Sequence, residues 1–302
     1  MPGDIRVEAL ERAHLDALAR TIAAEVPELR LDSRYLARNL FEDPDAEPAL
    51  LLAGFKGSRL AGVAASVRRG ETAHLKLLVV DPSARRRGLG TRLLAETLER
   101  LAQAGVDRVE TDGAAPCYLL PGLPVRCSDG RRLLEKSGFE AVEERSSWTV
   151  GLQGLDLATE NKERALVAGG IAVRRAEAVD RDLIASEVTR LFTREWAIEA
   201  AWTVLERTPK VHVALRGGSL VGFACAGVWA ANAFGPMGTS AAEQGRGVGE
   251  VLLKRSLADL RAAGEENALI SWVGPLDFYR SKVGLGEEHR YVVLGRGRPV
   301  RR

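Results

Sequence analysis

Val80-Asp81-Pro82-Ser83-Ala84-Arg85-Arg86-Arg87-Gly88-Leu89-Gly90 joins two stretches of different periodicity. Before it, Leu75-Lys76-Leu77-Leu78-Val79-Val80 reads as a strand. After it, Leu93, Leu94, Leu98 and Leu101 recur at helical spacing until Gly105. Glycines at alternate positions let a chain turn tightly and approach a ligand without a Cβ in the way. The first amides of the following helix are unpaired and lie at its positive end, which suits an anion such as a pyrophosphate. Flanking arginines can add charge.

The motif has a second copy. Gln244-Gly245-Arg246-Gly247-Val248-Gly249 opens a stretch with Leu252, Leu253, Leu257 and Leu260 at helical spacing, ending at Gly264. Gly88 and Gly247 stand 159 residues apart, and Gly62 and Gly222, each in a strand–turn–strand pattern, stand 160 apart. Ile5-Arg6-Val7 and Ile171-Ala172-Val173 begin the two copies alike. Landmarks holding nearly one offset mark a duplicated unit. The reading assigns residues 1–155 to the first unit, 156–170 to a connector and 171–302 to the second. Each unit runs strand, one or two helices, antiparallel hairpin, long strand, Gly-rich turn, helix, then strand–helix–strand. That is an α+β unit on a mixed, mostly antiparallel sheet flanked by helices.

Other uses of a Gly-rich turn fit less well. A Walker loop needs Gly-Lys-Ser/Thr at the helix start, and neither copy has it. A dinucleotide fingerprint belongs at the first turn of a parallel βαβ unit, whereas these turns follow a hairpin deep within each unit. A helix that merely begins at a glycine would explain one copy, not two in the same context.

The first copy resembles the acetyl-CoA signature of the GCN5-related N-acetyltransferase (GNAT) superfamily, R/Q-x-x-G-x-G/A after a strand ending near V-x-P. Gln244–Gly249 fits the same signature, with Ser240-Ala241 in place of the usual hydrophobic and Pro context. The resemblance covers essentially the whole chain, as a tandem acetyltransferase. It implies acetyl-CoA as cofactor, bound by Arg85, Arg86, Arg87, Gly88, Leu89, Gly90 and Thr91 in the first unit. In the second it implies Gln244, Gly245, Arg246, Gly247, Val248, Gly249 and Glu250. Strand backbone for the pantetheine arm falls by position on Leu78 and Val80, and on Met237 and Thr239.

Acetyl transfer needs a neutral amine, a polarised thioester and a protonated leaving thiolate. Family members often carry a tyrosine acid in a segment resembling F-Y-x-x-x-G-F. Phe278-Tyr279-Arg280-Ser281-Lys282-Val283-Gly284-Leu285 puts Tyr279 there, whereas the first unit has Leu134 in that place. Tyr279 is therefore the expected general acid and the second unit the expected catalytic one. Glu195, Glu199, Glu243 and Asp277 are acids of that unit without an assigned role, and His74 and His212 read as structural. The loop Pro116–Pro124, absent from the second unit, reads as a substrate-covering or inter-domain element.

The bulk figures fit a folded protein. Hydrophobic residues make up 46% and charged ones 28% of 302, and a net charge of +2 gives no reason to expect nucleic acid or membrane. No apolar run is long enough to span a bilayer. The start lacks the basic-then-apolar order of a signal peptide, and three cysteines suit a reducing compartment, so a cytoplasmic location is expected. The expected acceptor is a primary amine of a small molecule, amino sugars included. Trp196, Trp202, Trp229 and Trp272 fall near its candidate walls. A non-catalytic acyl-CoA-binding or sensing protein is the alternative, and Tyr279 separates the two. A nucleotide-binding oxidoreductase is a distant third.

Overall fold

A computed structural model describes residues 5–206 and 210–297. The five C-terminal residues of the basic tail lie outside them. The chain divides into two compact units. Residues 5–146 with 289–297 form one, and residues 147–206 with 210–288 the other. The sequence reading placed one join between 156 and 170. By packing, residues 147–170 group with the second unit and the chain's last strand with the first.

The elements in chain order are β1 (Ile5–Ala9), α1 (Leu15–Glu25), α2 (Ser33–Phe41), β2 (Leu51–Lys56), β3 (Arg59–Arg69), β4 (Thr72–Val80), α3 (Leu89–Gln103), β5 (Arg108–Glu110), β6 (Leu123–Pro124), α4 (Ser128–Lys136) and β7 (Glu140–Gly151). Then come α5 (Glu160–Ala168), β8 (Ile171–Arg175), α6 (Arg181–Leu191), α7 (Arg194–Thr203), β9 (Val211–Arg216), β10 (Ser219–Ala226), β11 (Ala233–Thr239), α8 (Val248–Ala262), β12 (Asn267–Ile270), α9 (Leu276–Val283) and β13 (Glu288–Arg296). Short 3₁₀ turns fill several of the connections.

In the first unit β1 to β4 pair antiparallel in order, and β5 joins β4 in parallel. β13 lies beyond β5, followed by the start of β7. The second unit repeats the plan with β8, β9, β10 and β11 antiparallel, β12 parallel to β11, and the end of β7 beside β12. The mixed, mostly antiparallel α+β unit read from the sequence is thus present twice.

Each turn-following helix packs its leucine stripe on the sheet. Leu89, Leu93, Leu94 and Leu101 of α3 are buried, as are Leu252, Leu253, Leu257 and Leu260 of α8. Fully burying one such side chain is worth about 1.5–3 kcal/mol. The repeated hairpin glycines make this approach possible. A Cβ on Gly62 would stand 2.9 Å from the Val79 carbonyl and 3.1 Å from Leu93, and one on Gly222 would stand 3.1 Å from the Gly238 carbonyl and 3.2 Å from Leu252.

The exchange of the last strand has a thermodynamic consequence. Tyr291, Val292, Val293 and Leu294 of β13 are buried in the first unit, although they follow the second in sequence. Leu294→Ala should cost the first unit about 2–5 kcal/mol in urea unfolding. Residues 1–155 alone should show no cooperative melt, and a normal one would mean that β13 is dispensable.

Candidate functional site

β4 and β5 pair for only three residues, Thr72↔Arg108, Ala73↔Val109 and His74↔Glu110. The other edge of β5 is held by β13, through Glu110↔Gly295 and Val109↔Arg296, and Thr111 N donates to Leu294 O at 2.9 Å. β5 therefore leaves β4. From Leu75 to Val80 the β4 edge on that side has no strand partner among the described residues, while its other edge stays paired with β3. Such an edge offers N–H and C=O groups to an extended ligand.

A cleft of about 910 Å³ opens along it. Leu78 and Val80 form one wall, and Arg85, Arg86, Gly88, Gly90 and Thr91 stand at one end. The end of α1, the beginning of α4 and part of the 116–124 loop supply the rest, so that loop is a cleft wall of the first unit.

The turn is built for main-chain exposure. Gly88 caps α3 with φ 84°, a left-handed conformation that L side chains rarely adopt, while a Cβ there would meet nothing within 4 Å. Gly90 is closely approached, since a Cβ there would lie 3.3 Å from the Leu133 side chain, which would have to give way. Arg86 takes φ 60°, which a non-glycine residue adopts at a cost. Its side chain is largely exposed, 3.7 Å from Asp129. Arg85 donates Nε–H to Val80 O at 2.9 Å and pairs with Glu25 at 2.6 Å. Arg87 is exposed. Leu89 faces the core, so only its main chain can serve a ligand.

The second turn copies this backbone. Gly245 and Gly247 have φ 76° and 91°, in the places of Arg86 and Gly88, and Gln244 donates to Thr239 O as Arg85 does to Val80 O. β11 pairs with β12 only at Ala233 and Phe234, so Met237 and Thr239 again lie past the divergence. Two features differ. Pro236 removes an N–H from the free stretch. Glu250, in the place of exposed Thr91, is buried against Lys282 at 3.0 Å, Lys162 at 3.2 Å and Lys254 at 3.7 Å. Burial pushes its carboxyl up, and Lys282 and Lys162 outweigh that and hold it below the usual range. Val248 is core, and Arg246 pairs with Glu243 at 3.2 Å.

Tyr279 is part of the core of the second unit, 8% exposed. Its ring meets Phe278 and Phe234 edge-on at 5.1 and 6.2 Å. No hydrogen bond to its hydroxyl is found among the described residues, and burial pushes the phenol up to about 12. Trp229 is buried, and Trp196 packs at a tilt against Phe192 and Phe223. Trp202 is half-buried, and Trp272 is largely exposed. Glu243 is clamped by Arg216, Glu199 is buried, Glu195 is half-buried, and Asp277 is solvent-exposed beside Arg280.

Sequence reading took His74 as structural and passed over the buried charges beside the first cleft, Asp112, Lys76 and Asp43. Asp112 lines the cleft and is hydrogen-bonded to Nδ1 of His74, with Arg145 at 3.6 Å from its other oxygen. Burial pushes Asp112 up, and His74 and Arg145 more than cancel this, leaving it below the ordinary carboxylate range. Lys76 pairs with Asp43 at 2.7 Å, and Asp43 also meets Arg69 at 2.7 Å. Burial draws Lys76 below the usual lysine range against the pull of Asp43.

Residues 15–118 match the model of the acetyltransferase (GNAT) family. No curated protein matches the chain. Solved structures share its fold from end to end. A GCN5-related glucosamine N-acetyltransferase region of a fungal multi-domain β-N-acetylglucosaminidase aligns with TM-score 0.73 at 18% identity, over 98% of this chain and 38% of that one. A GCN5-related N-acetyltransferase from Sphaerobacter thermophilus aligns with 0.66 at 20% identity, over 98% and 96%. A tandem GNAT protein from the clavulanic acid biosynthesis pathway aligns with 0.67 at 15% identity, over 99% and 100%. Residues 15–118 thus carry the sequence of the acetyltransferase (GNAT) family, and the chain has the fold of a tandem GNAT protein in both units.

Proposed function

We propose that the chain transfers an acetyl group from acetyl-CoA to the primary amine of a small molecule, in the cleft of the first unit. The observation that carries this is the unpaired β4 edge from Leu75 to Val80, running to the Gly88 turn along an open cleft. The fit to acetyl-CoA is chemical. An amide-bearing pantetheine arm can pair with strand main chain, and a pyrophosphate suits the α3 amides with Arg86 beside them. Bound acetyl-CoA supplies the thioester carbonyl that the amine attacks. Glucosamine is the first acceptor to try, because the fungal region aligned at TM-score 0.73 is a glucosamine N-acetyltransferase.

This reading moves catalysis from the second unit, where the family tyrosine led sequence reading, to the first. In the second unit a phosphate at the α8 N-terminus would approach the Glu250 carboxylate, and the strand has one donor fewer at Pro236. Tyr279 acts there as a packing residue.

Calorimetry with acetyl-CoA should give one site per chain. Gly88→Val should abolish binding, and Gly247→Val should leave it within about 2-fold, since only the first turn then holds ligand. Two sites would restore the second turn, and no heat at all would remove the cofactor assignment.

Free-CoA release with an amine panel (glucosamine, spermidine and tryptamine) tests the reaction. Tyr279→Phe should leave turnover within about 3-fold, because a core phenol without a partner contributes packing that phenylalanine keeps. A loss of about 100-fold, the scale of a general acid, would place catalysis in the second unit.

A further inference from the structure

We infer that Asp112 and His74 form the group that receives the acceptor ammonium and removes its proton in the first cleft. The inference rests on the reading of that cleft as an acetyltransferase site. His74 is the last β4 residue paired with β5, and Asp112 stands two residues past its partner Glu110. The pair thus sits where the strands part, and Asp112 forms part of the cleft surface. His74, Glu110 and Asp112 bring their polar atoms within 4.8 Å of one another.

The duplicated unit supplies an internal control. β11 and β12 part at Phe234↔Ile270, each residue 160 positions after His74 and Glu110. Asp112 therefore corresponds to Trp272, and His74 to Phe234. In the second unit this point is aromatic, and Phe234 packs on Tyr279. The strand divergence forms with either set, so the fold does not require a buried His–Asp pair. Burying such a pair has a desolvation cost that an apolar pair avoids. Its presence beside the open cleft therefore favours chemistry over packing. His212 and Asp259 pair too, at 2.9 Å, but they tie β9 to α8 and share Arg175, so their contact is accounted for by packing.

The charges around the pair are defined. From β5, Glu110 is held by Arg108 at 2.7 Å. From β7, Arg145 faces Asp112 and also pairs with Glu143 at 2.7 Å. Along β4, Lys76 is engaged by Asp43. His74 makes no other hydrogen bond among the described residues. It is consequently the group of this cluster able to take up a proton without breaking an ion pair.

The step balances without a co-reactant. An ammonium N–H donates to Asp112, and the proton moves through the carboxylate to neutral His74, leaving imidazolium, carboxylate and free amine. The amine nitrogen then bonds to the thioester carbon, the C–S bond breaks, and the sulfur leaves with the electron pair. The thiolate ends protonated, the amide nitrogen loses its second proton, and His74 returns its proton to water. Net, an acetyl group, an ammonium and CoA are exchanged with release of one proton.

The test measures kcat/KM against pH for the wild type, Asp112→Asn, His74→Gln and His74→Phe, using the fastest acceptor among glucosamine, spermidine and tryptamine. His74→Phe copies the second unit and guards against loss of folding, which thermal melts monitor. Expected is a fall of about 100-fold near pH 7 in each variant. The loss should shrink as pH rises and the acceptor deprotonates unaided. Acetyl-CoA affinity by calorimetry should stay within about 2-fold. Unchanged kcat/KM profiles in folded His74 variants overturn the inference and leave the acetyltransferase reading intact. A wild type that releases no CoA with any of the amines overturns that reading, and the inference with it.

Discussion

The parting of β4 from β5 is the constraint on which the first unit's site depends. Parallel strands continue to pair unless one is drawn away, and here β13 draws β5 away. Glu110 and Val109 are committed to Gly295 and Arg296, and Leu294 exchanges hydrogen bonds with the main chain and hydroxyl of Thr111. The result is a strand whose inner edge stays unpaired for six residues beside an open cleft. Unpaired main-chain groups shut away from water would cost free energy. They are tolerated here because the cleft gives them water until a ligand replaces it. The last strand of the chain thus shapes a site formed mainly by residues before 135.

Duplication separates what the fold needs from what chemistry needs. Both units keep the left-handed positions at 86 and 245 and at 88 and 247, and both tie the turn to the preceding strand, through Arg85 or Gln244. Those features are backbone geometry, common to both turns. The polar groups around them are not shared. Thr91 is exposed where Glu250 is buried among lysines, and His74 with Asp112 stands where Phe234 and Trp272 do. A helix N-terminus favours one negative charge. Glu250 already places one near that end of α8, whereas α3 leaves its end to the cleft.

Much of the fold was legible because its signals are local. Hairpin glycines, strand-to-helix changes of period and the two turns all lie within about fifteen residues, and the repeat offset doubled their weight. The exchange of β13 was not legible. Its residues Tyr291-Val292-Val293-Leu294 read as a strand, but nothing in them names a partner some 180 residues earlier. Candidate residues divided the same way. The first turn was readable, because glycine spacing reports backbone need. Tyr279 was readable as a motif, yet its burial between Phe234 and Phe278 depends on side chains from two elements. Asp112 looked ordinary, since its partners come from β4 and β7.

The buried charges of the first unit complete the picture of an asymmetric pair. Lys76, Asp43 and Arg69 link β4, β3 and the segment after α2 through contacts of 2.7 Å, and Asp112, His74 and Arg145 link the segment after β5 with β4 and β7. Such networks add little to net stability over apolar packing, but removing one member leaves an uncompensated charge. They therefore fix geometry more than they strengthen it. Two of them flank the strand whose main chain forms the cleft wall. The acetyl transfer proposed for this cleft would need that fixity, because a misplacement of about 1 Å can cost 100-fold in rate. At the corresponding point the second unit has Phe234, packed on Tyr279, and the largely exposed Trp272, neither of which can take up a proton.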